Sequence, residues 1–160
     1  MRLVIADTGP INYLVEIGHI DLLPRLFERI AIPTAVRSEL SDSRAPSSVR
    51  SWITSPPEWL EIHVTTGLPA VSGLDEGETA AIALAEFLQA DLVLIDERDG
   101  FRAAKRRGLR VTGTLGVLDL AAERGLIDFQ QVIFALEQTS FRRPKELVRI
   151  LLAKHTSGRT

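Results

Sequence analysis

Two short aliphatic runs, Leu3-Val4-Ile5-Ala6 and Leu92-Val93-Leu94-Ile95, are each followed at once by a carboxylate, Asp7 and Asp96. A strand of four consecutive apolar residues has no polar face to turn to water, so it belongs inside a sheet covered on both sides. Open parallel sheets bind their ligands beyond the carboxyl ends of the strands, near the point where strand order reverses. The two aspartates stand where such a sheet would hold its ligand, and two carboxylates meeting there suggest a divalent metal.

The 160 residues, 45% hydrophobic and 25% charged, suffice for one compact domain that buries about 70% of the unfolded chain's surface. A single domain over 1–160 is expected, with a core to about residue 125 and a helical extension over about 126–160. The chain has no cysteine, which removes disulfide frameworks, thiolate zinc sites and cysteine nucleophiles. His19, His63 and His155 are scattered without ligand spacing. The apolar runs fall far short of the ~20 residues that span a bilayer. Met1-Arg2-Leu3 leads straight into a strand rather than into a signal peptide, so the expected location is the cytoplasm, away from membranes.

Strand-like runs at 3–6, 30–32, 60–64, 91–95 and 109–112 alternate with helical ones at 10–17, 20–29, 33–40, 48–53, 76–89, 99–107, 114–124, 128–137 and 144–154. The Ser- and Asp-rich stretch 41–48 reads as an exposed loop and 67–73 as a connector. Such alternation predicts a three-layer α/β/α sandwich with a mainly parallel central sheet.

Four acids stand out, three of them with a specific structural alternative. Asp7, in Asp7-Thr8-Gly9-Pro10, is either a ligand or a helix N-cap. Asp96 leaves its strand directly and points over the sheet edge. Glu39 borders the apolar face made by Val36 and Leu40, and is either a site acid or surface. Glu78 precedes Ile82 by four and Ala85 by seven, on the inward face, whereas Glu76 shares a face with Ala80 and Ala83; Glu78 is therefore preferred. Its alternative is a capping box led by Asp75. Dinucleotide, P-loop, serine-hydrolase and zincin motifs are all missing from the sequence. An oxygen-only site remains, and hard oxygen donors suit Mg²⁺ or Mn²⁺.

Taken in order, Asp7-Thr8-Gly9-Pro10-Ile11, Ile32-Pro33-x-x-Val36-x-x-Glu39-Leu40, Leu74-Asp75-x-Gly77-Glu78-x-x-Ala81-Ile82 and Leu94-Ile95-Asp96-Glu97-Arg98 resemble the successive acidic motifs of PIN-domain ribonucleases. The resemblance continues through Val111-Thr112-Gly113-Thr114-Leu115-Gly116-Val117-Leu118 and is closest to the prokaryotic branch similar to VapC toxins. It implies an α/β/α sandwich whose acidic pocket binds Mg²⁺ or Mn²⁺ and hydrolyses RNA. It also implies Asp7, Glu39, Glu78 and Asp96 as the acidic quartet, Asp99 as an additional metal acid and Thr8 as a supporting hydroxyl. Implied partners are an RNA substrate, a second copy of the chain and a small antitoxin. The apolar stretch 11–26 is compatible with a dimer surface or with core. Two other readings stay open: a catalytically weak module that binds RNA or a regulatory protein, and a small-molecule phosphohydrolase.

The charge distribution supports a polyanionic substrate. Residues 1–97 carry nine more acids than bases, whereas residues 98–160 carry seven more bases than acids. Cations beside an acidic centre would hold phosphates that the centre alone repels. Arg98, Arg102 and Arg106 recur every four residues with Lys105 beside them, directly after Asp96, and are the expected phosphate contacts. Arg107 and Arg110 would extend that patch. Arg142, Arg143, Lys145 and Arg149 read first as a solvated terminal helix.

Overall fold

A computed structural model describes residues 2–65 and 73–157; residues 67–72 of the expected connector lie outside them. Two compact units emerge, Met1–Thr114 and Leu115–Thr160. In the first, β1 (Leu3–Ala6) is followed by α1 (Thr8–Glu16), α2 (Leu22–Leu26), β2 (Arg29–Pro33), α3 (Thr34–Leu40), α4 (Ser47–Thr54) and β3 (Leu60–His63). It continues with α5 (Glu76–Leu88), β4 (Leu92–Leu94), α6 (Arg98–Arg106) and β5 (Val111–Thr112). The last helices are α7 (Thr114–Glu123), which opens at the unit boundary, α8 (Phe129–Glu137) and α9 (Lys145–Ser157).

The five strands form one parallel sheet in the order β3-β2-β1-β4-β5. The chain first builds outward from β1 through β2 and β3, then returns to β1's other side for β4 and β5. Strand order therefore reverses between β1 and β4, whose register pairs Ala6 with Leu94. This is the α/β architecture with a mainly parallel sheet that the alternation predicts. Every residue of β1 is buried, as expected for a strand covered on both faces. On one face Leu3, Ile5, Ala31, Val93 and Ile95 meet Ala81, Ile82 and Ala85 of α5 and Ala103 and Ala104 of α6. Burying a side chain such as Ile82 contributes about 2 kcal/mol, and the alanines let the helix backbones approach closely.

Differences from the expected elements have nonlocal causes. The helix expected over 20–29 shrinks to α2, because Phe27 is extended at φ −131° and ψ 156° and Arg29 pairs with Leu3 as the first residue of β2. Arg29 also grips Glu61 through two hydrogen bonds of 2.9 and 2.8 Å, so strand pairing outweighs local helical preference. Pro33 closes β2 and occupies the N-cap position of α3 rather than its first turn. In the stretch 11–26, Ile11, Leu14, Leu22, Leu23 and Leu26 are all buried within the chain; these residues are core. Gly18, at φ +76°, ends α1 in a left-handed turn, with the His19 amide donating to the Leu14 carbonyl.

In the second unit, Phe129, Val132, Ile133 and Leu136 of α8 and Val148 and Leu151 of α9 are buried. Lys154 of α9 bridges Asp119 and Glu123 of α7, and His155, stacked on Phe129, hydrogen-bonds Asp119 at 2.7 Å. Arg143 and Arg149 pair with Glu137 and Glu146, in keeping with a solvated terminal helix. Among the described residues no helix is long and apolar enough to cross a membrane.

Candidate functional site

Where strand order reverses, the chain gathers acids from both sides of the sheet centre. The Asp7 amide donates to the Leu94 carbonyl at 2.9 Å, tying the end of β1 to β4. Asp96 leaves β4 one residue after Ile95, whose own amide donates to Thr112 of β5. A pocket of about 240 Å³ opens there, lined by the carboxylates of Asp7, Glu39, Asp75, Glu78, Asp96 and Glu97 together with Thr8, Gly9, Asn12 and Tyr13. That volume holds several waters, enough for a hydrated cation.

Asp7 occupies the N-cap position of α1 yet makes no capping bond through its side chain, so the capping alternative does not account for it. It is buried, and burial pushes its pKa up to about 7; the Thr8 amide opposes the rise, and the charges of Asp75, Glu39 and Asp96 add to it. Glu39 is half-buried on α3. Its pKa is raised, by burial first and then by Asp75, while the Thr8 hydroxyl and the Gly77 amide pull it down. Even so, Glu39 Oε1 and Thr8 Oγ1 are buried without a partner that meets hydrogen-bond geometry. Gly77 creates the space: a Cβ there would fall 1.7 Å from Glu39 Oε1.

Glu78 is 7% exposed and Glu76 is exposed outside the pocket lining, the division that helical phase predicts. Asp75 caps α5 by accepting the Glu78 amide at 2.8 Å. The cap thus engages the backbone of Glu78 and leaves its carboxyl in the pocket wall. Burial raises the Glu78 pKa to about 8, followed by a hydrogen bond with the Asp75 side chain and by the charges of Asp75, Asp7 and Glu97. Burial raises the Asp96 pKa as well, against the hydroxyl and amide of Thr114, which both donate to its carboxylate.

The quartet Asp7, Glu39, Glu78 and Asp96 therefore lines one pocket, with Thr8 among them. Asp99 does not: it is exposed on the first turn of α6, and Glu97 lines the pocket instead. Asp75, Glu97 and Thr114 were not expected from sequence. Asp75 and Glu97 adjoin recognised acids, and Thr114 follows β5 as the acids follow β1 and β4.

The donors suit a hard divalent cation. Among the described residues all are oxygens, no Lys or Arg lines the pocket, and two buried oxygens in its wall are left without partners of good geometry. Among the described residues no three acids or histidines are already gathered closely enough to enclose an ion. Mutual repulsion among uncompensated carboxylates favours such separation.

Arg98, Arg102, Lys105 and Arg106 are exposed on α6, with Lys105 Nζ 5.5 Å from the Phe101 ring centre. Arg98 forms no ion pair with Asp96 or Glu97 among the described residues. Arg107 is different: it pairs with Glu86 of α5, so its charge is locally compensated and it adds little to the basic row.

A comparison of Glu78→Gln with Glu76→Gln separates site from surface. The Glu78 variant should lose Mn²⁺ affinity without a large fall in melting temperature, since the Asp75 cap bonds a backbone amide that the substitution retains; the Glu76 variant should match wild type. Unchanged affinity in the Glu78 variant with lowered stability would make Glu78 structural.

The family model "DUF3368: PIN domain" matches residues 3–157. No curated protein matches the chain. Among the solved structures that match, two are similar at low identity. One is a PilT N-terminus domain protein from the hyperthermophilic archaeon Sulfolobus solfataricus P2, at 13% identity, with 88% of this chain and 98% of that one covered and a TM-score of 0.49. The other is a domain of a functionally unknown protein from Methanocaldococcus jannaschii DSM 2661, at 20% identity, with 71% and 91% covered and a TM-score of 0.49.

Proposed function

The chain belongs to the PIN-domain family, which supports a nuclease-like function, and we propose that it is a Mg²⁺- or Mn²⁺-dependent endoribonuclease of the cytoplasm. The observation that carries this reading is the pocket in which Asp7, Glu39, Glu78 and Asp96 converge from β1, α3, α5 and the end of β4, with no Lys or Arg in its lining among the described residues. These four would hold the metal, with the Thr8 hydroxyl supporting them. A bound ion would activate water and offset charge on the scissile phosphate. The protein's own contribution is to gather the acids in one pocket at the sheet edge and to supply cations from α6 at its side. Asp99 has no part in this reading, and the 160 residues act as one domain, in line with the family match over 3–157.

The finer assignment follows the motif resemblance. The protein would be the toxin of a toxin–antitoxin pair, VapC-like, working as a homodimer and restrained by a small antitoxin protein. Cleavage of RNA with Mg²⁺ or Mn²⁺, loss of cleavage on chelation and loss in Asp7→Asn would support the enzyme reading. RNA binding without turnover would support a binding module, and preference for nucleotides or phospho-sugars a phosphohydrolase.

Arg98, Arg102 and Arg106 would position RNA without entering the chemistry. Their triple Ala variant should raise KM and flatten the dependence of log K on log salt by about 0.7 to 0.9 for each phosphate that is no longer neutralised, while Mn²⁺ affinity stays near wild type. An unchanged salt slope would mean that this face is solvated surface. A fall in kcat for Arg98→Ala alone would instead give Arg98 a role in shaping the acidic site.

A further inference from the structure

We infer that Thr114 is a positioning residue of the acidic pocket, holding Asp96 as a fixed ligand among acids that remain adjustable. The inference rests on reading the pocket as a metal-holding nuclease site and deepens it. Thr114 is fully buried. Its amide donates to Asp96 Oδ1 at 2.7 Å and its hydroxyl to Asp96 Oδ2 at 2.7 Å. A carboxylate with a separate donor on each oxygen cannot turn about its Cβ–Cγ bond without losing both bonds. Each oxygen has two lone pairs, so one on each remains for a cation while the plane of the group is set.

The backbone is arranged for this grip. A Cβ at Gly113 would lie 2.5 Å from Asp96 Oδ1 and 3.3 Å from the Ile95 carbonyl oxygen. Only glycine lets the chain after β5 come close enough for the next amide to reach Asp96. The other acids are held less completely. Asp7 is met by the Thr8 amide but makes no capping bond through its side chain, Glu39 lies against the Thr8 hydroxyl and the Gly77 amide yet leaves Oε1 without a partner of good geometry, and the Glu78 carboxyl is paired with another acid, Asp75. A site with one orientated ligand and several movable ones can gather around an ion after that ion has met Asp96.

Hydrogen-bond partners of ligating carboxylates typically change metal affinity or activity by about 10- to 100-fold when removed. The test uses Thr114→Val, which deletes the hydroxyl in a similar shape, Thr114→Ser, which keeps it, and Gly113→Ala, which crowds Asp96 while Thr114 stays. Mn²⁺ affinity is read from the signal of free Mn²⁺ by electron paramagnetic resonance, beside the metal-free melting temperature. Thr114→Val should weaken Mn²⁺ binding by about 10- to 100-fold and lower kcat more than it raises KM. Thr114→Ser should stay near wild type, and Gly113→Ala should weaken binding like the Val variant.

Wild-type Mn²⁺ affinity in a folded Thr114→Val protein, or equal loss in the Val and Ser variants, overturns the positioning role. Should the Val variant not fold, wild-type affinity in Gly113→Ala overturns it independently. Asp96→Asn separates the two levels of argument. Wild-type affinity in that variant sinks the metal reading itself, whereas weak binding there with normal binding in Thr114→Val sinks only the role of Thr114.

Discussion

Asp7→Asn and Asp96→Asn should each reduce metal-dependent RNA cleavage by roughly 10²-fold or more, the scale on which removing one electrostatic stabiliser of a transition state acts, while the fold survives. For Asp7 the substitution should also stabilise the metal-free protein. Burial lifts its pKa from 3.8 to about 7, so at pH 8 the fold carries an ionised group that it disfavours. Each pKa unit corresponds to about 1.4 kcal/mol, which sets an upper bound of about 4 kcal/mol on the gain. The amide keeps the size of the carboxylate and removes the charge that Glu39, Asp75 and Asp96 repel. Asp96→Asn should behave differently. Its carboxylate accepts two bonds from Thr114; an amide keeps the backbone bond through its oxygen only by turning its nitrogen to the Thr114 hydroxyl, which must then reverse from donor to acceptor, and that disruption offsets part of the gain from removing a buried charge. The paired expectation is thus common loss of cleavage, with a larger rise in melting temperature at pH 8 without metal for Asp7→Asn than for Asp96→Asn. Cleavage at wild-type rate in both variants would remove these residues from the site.

The parts legible in sequence were those that local patterning encodes. A four-residue apolar run without alternation fits a strand covered on both faces and is too short for a helix of its own, so β1 and β4 were readable, and with them the placement of Asp7 and Asp96. Helical phase was enough to turn Glu78 inward and Glu76 outward. What could not be read depends on contacts between distant segments. Arg29 joins β2 because β1 and Glu61 are there to receive it, and nothing within 20–29 signals that. Glu39 reaches the pocket only because α5 begins with Gly77 against its carboxylate. Arg107 is one more cation of a basic row in sequence, and only α5 places Glu86 beside it. Asp99 is implied by the family resemblance, yet the turn that opens α6 leaves it outside and puts Glu97 at the pocket. Thr114 is read in sequence as part of a run after β5; its two bonds to Asp96 exist only once β5 lies against β4.

The pocket acids also predict a strong pH dependence of metal binding. Asp7 and Glu78 have folded pKa values of about 7 and about 8, above their ordinary values of 3.8 and 4.5, so near pH 6 both are mainly protonated. Metal ligands must shed those protons, and competition weakens apparent affinity about tenfold per pH unit for each group below its pKa. Between pH 6 and pH 8 the two groups together should raise Mn²⁺ affinity by about 10²- to 10³-fold, levelling off above pH 8. Stability of the metal-free protein should move the opposite way. A carboxyl with a raised folded pKa favours the folded state fully below its unfolded value and loses that contribution as pH rises through the folded one. Metal-free melting temperature should therefore decline from about pH 4 to pH 8, and saturating Mn²⁺ should offset most of the decline at the alkaline end. Asp7→Asn removes one of the two protons from the competition, so its affinity, although lower, should depend less steeply on pH. Calorimetric titration across this range, in buffers of different ionisation enthalpy, counts the protons released. An affinity independent of pH from 6 to 8, with no proton release, would mean that cations bind at ordinary exposed carboxylates and that this recessed pocket is not the metal site.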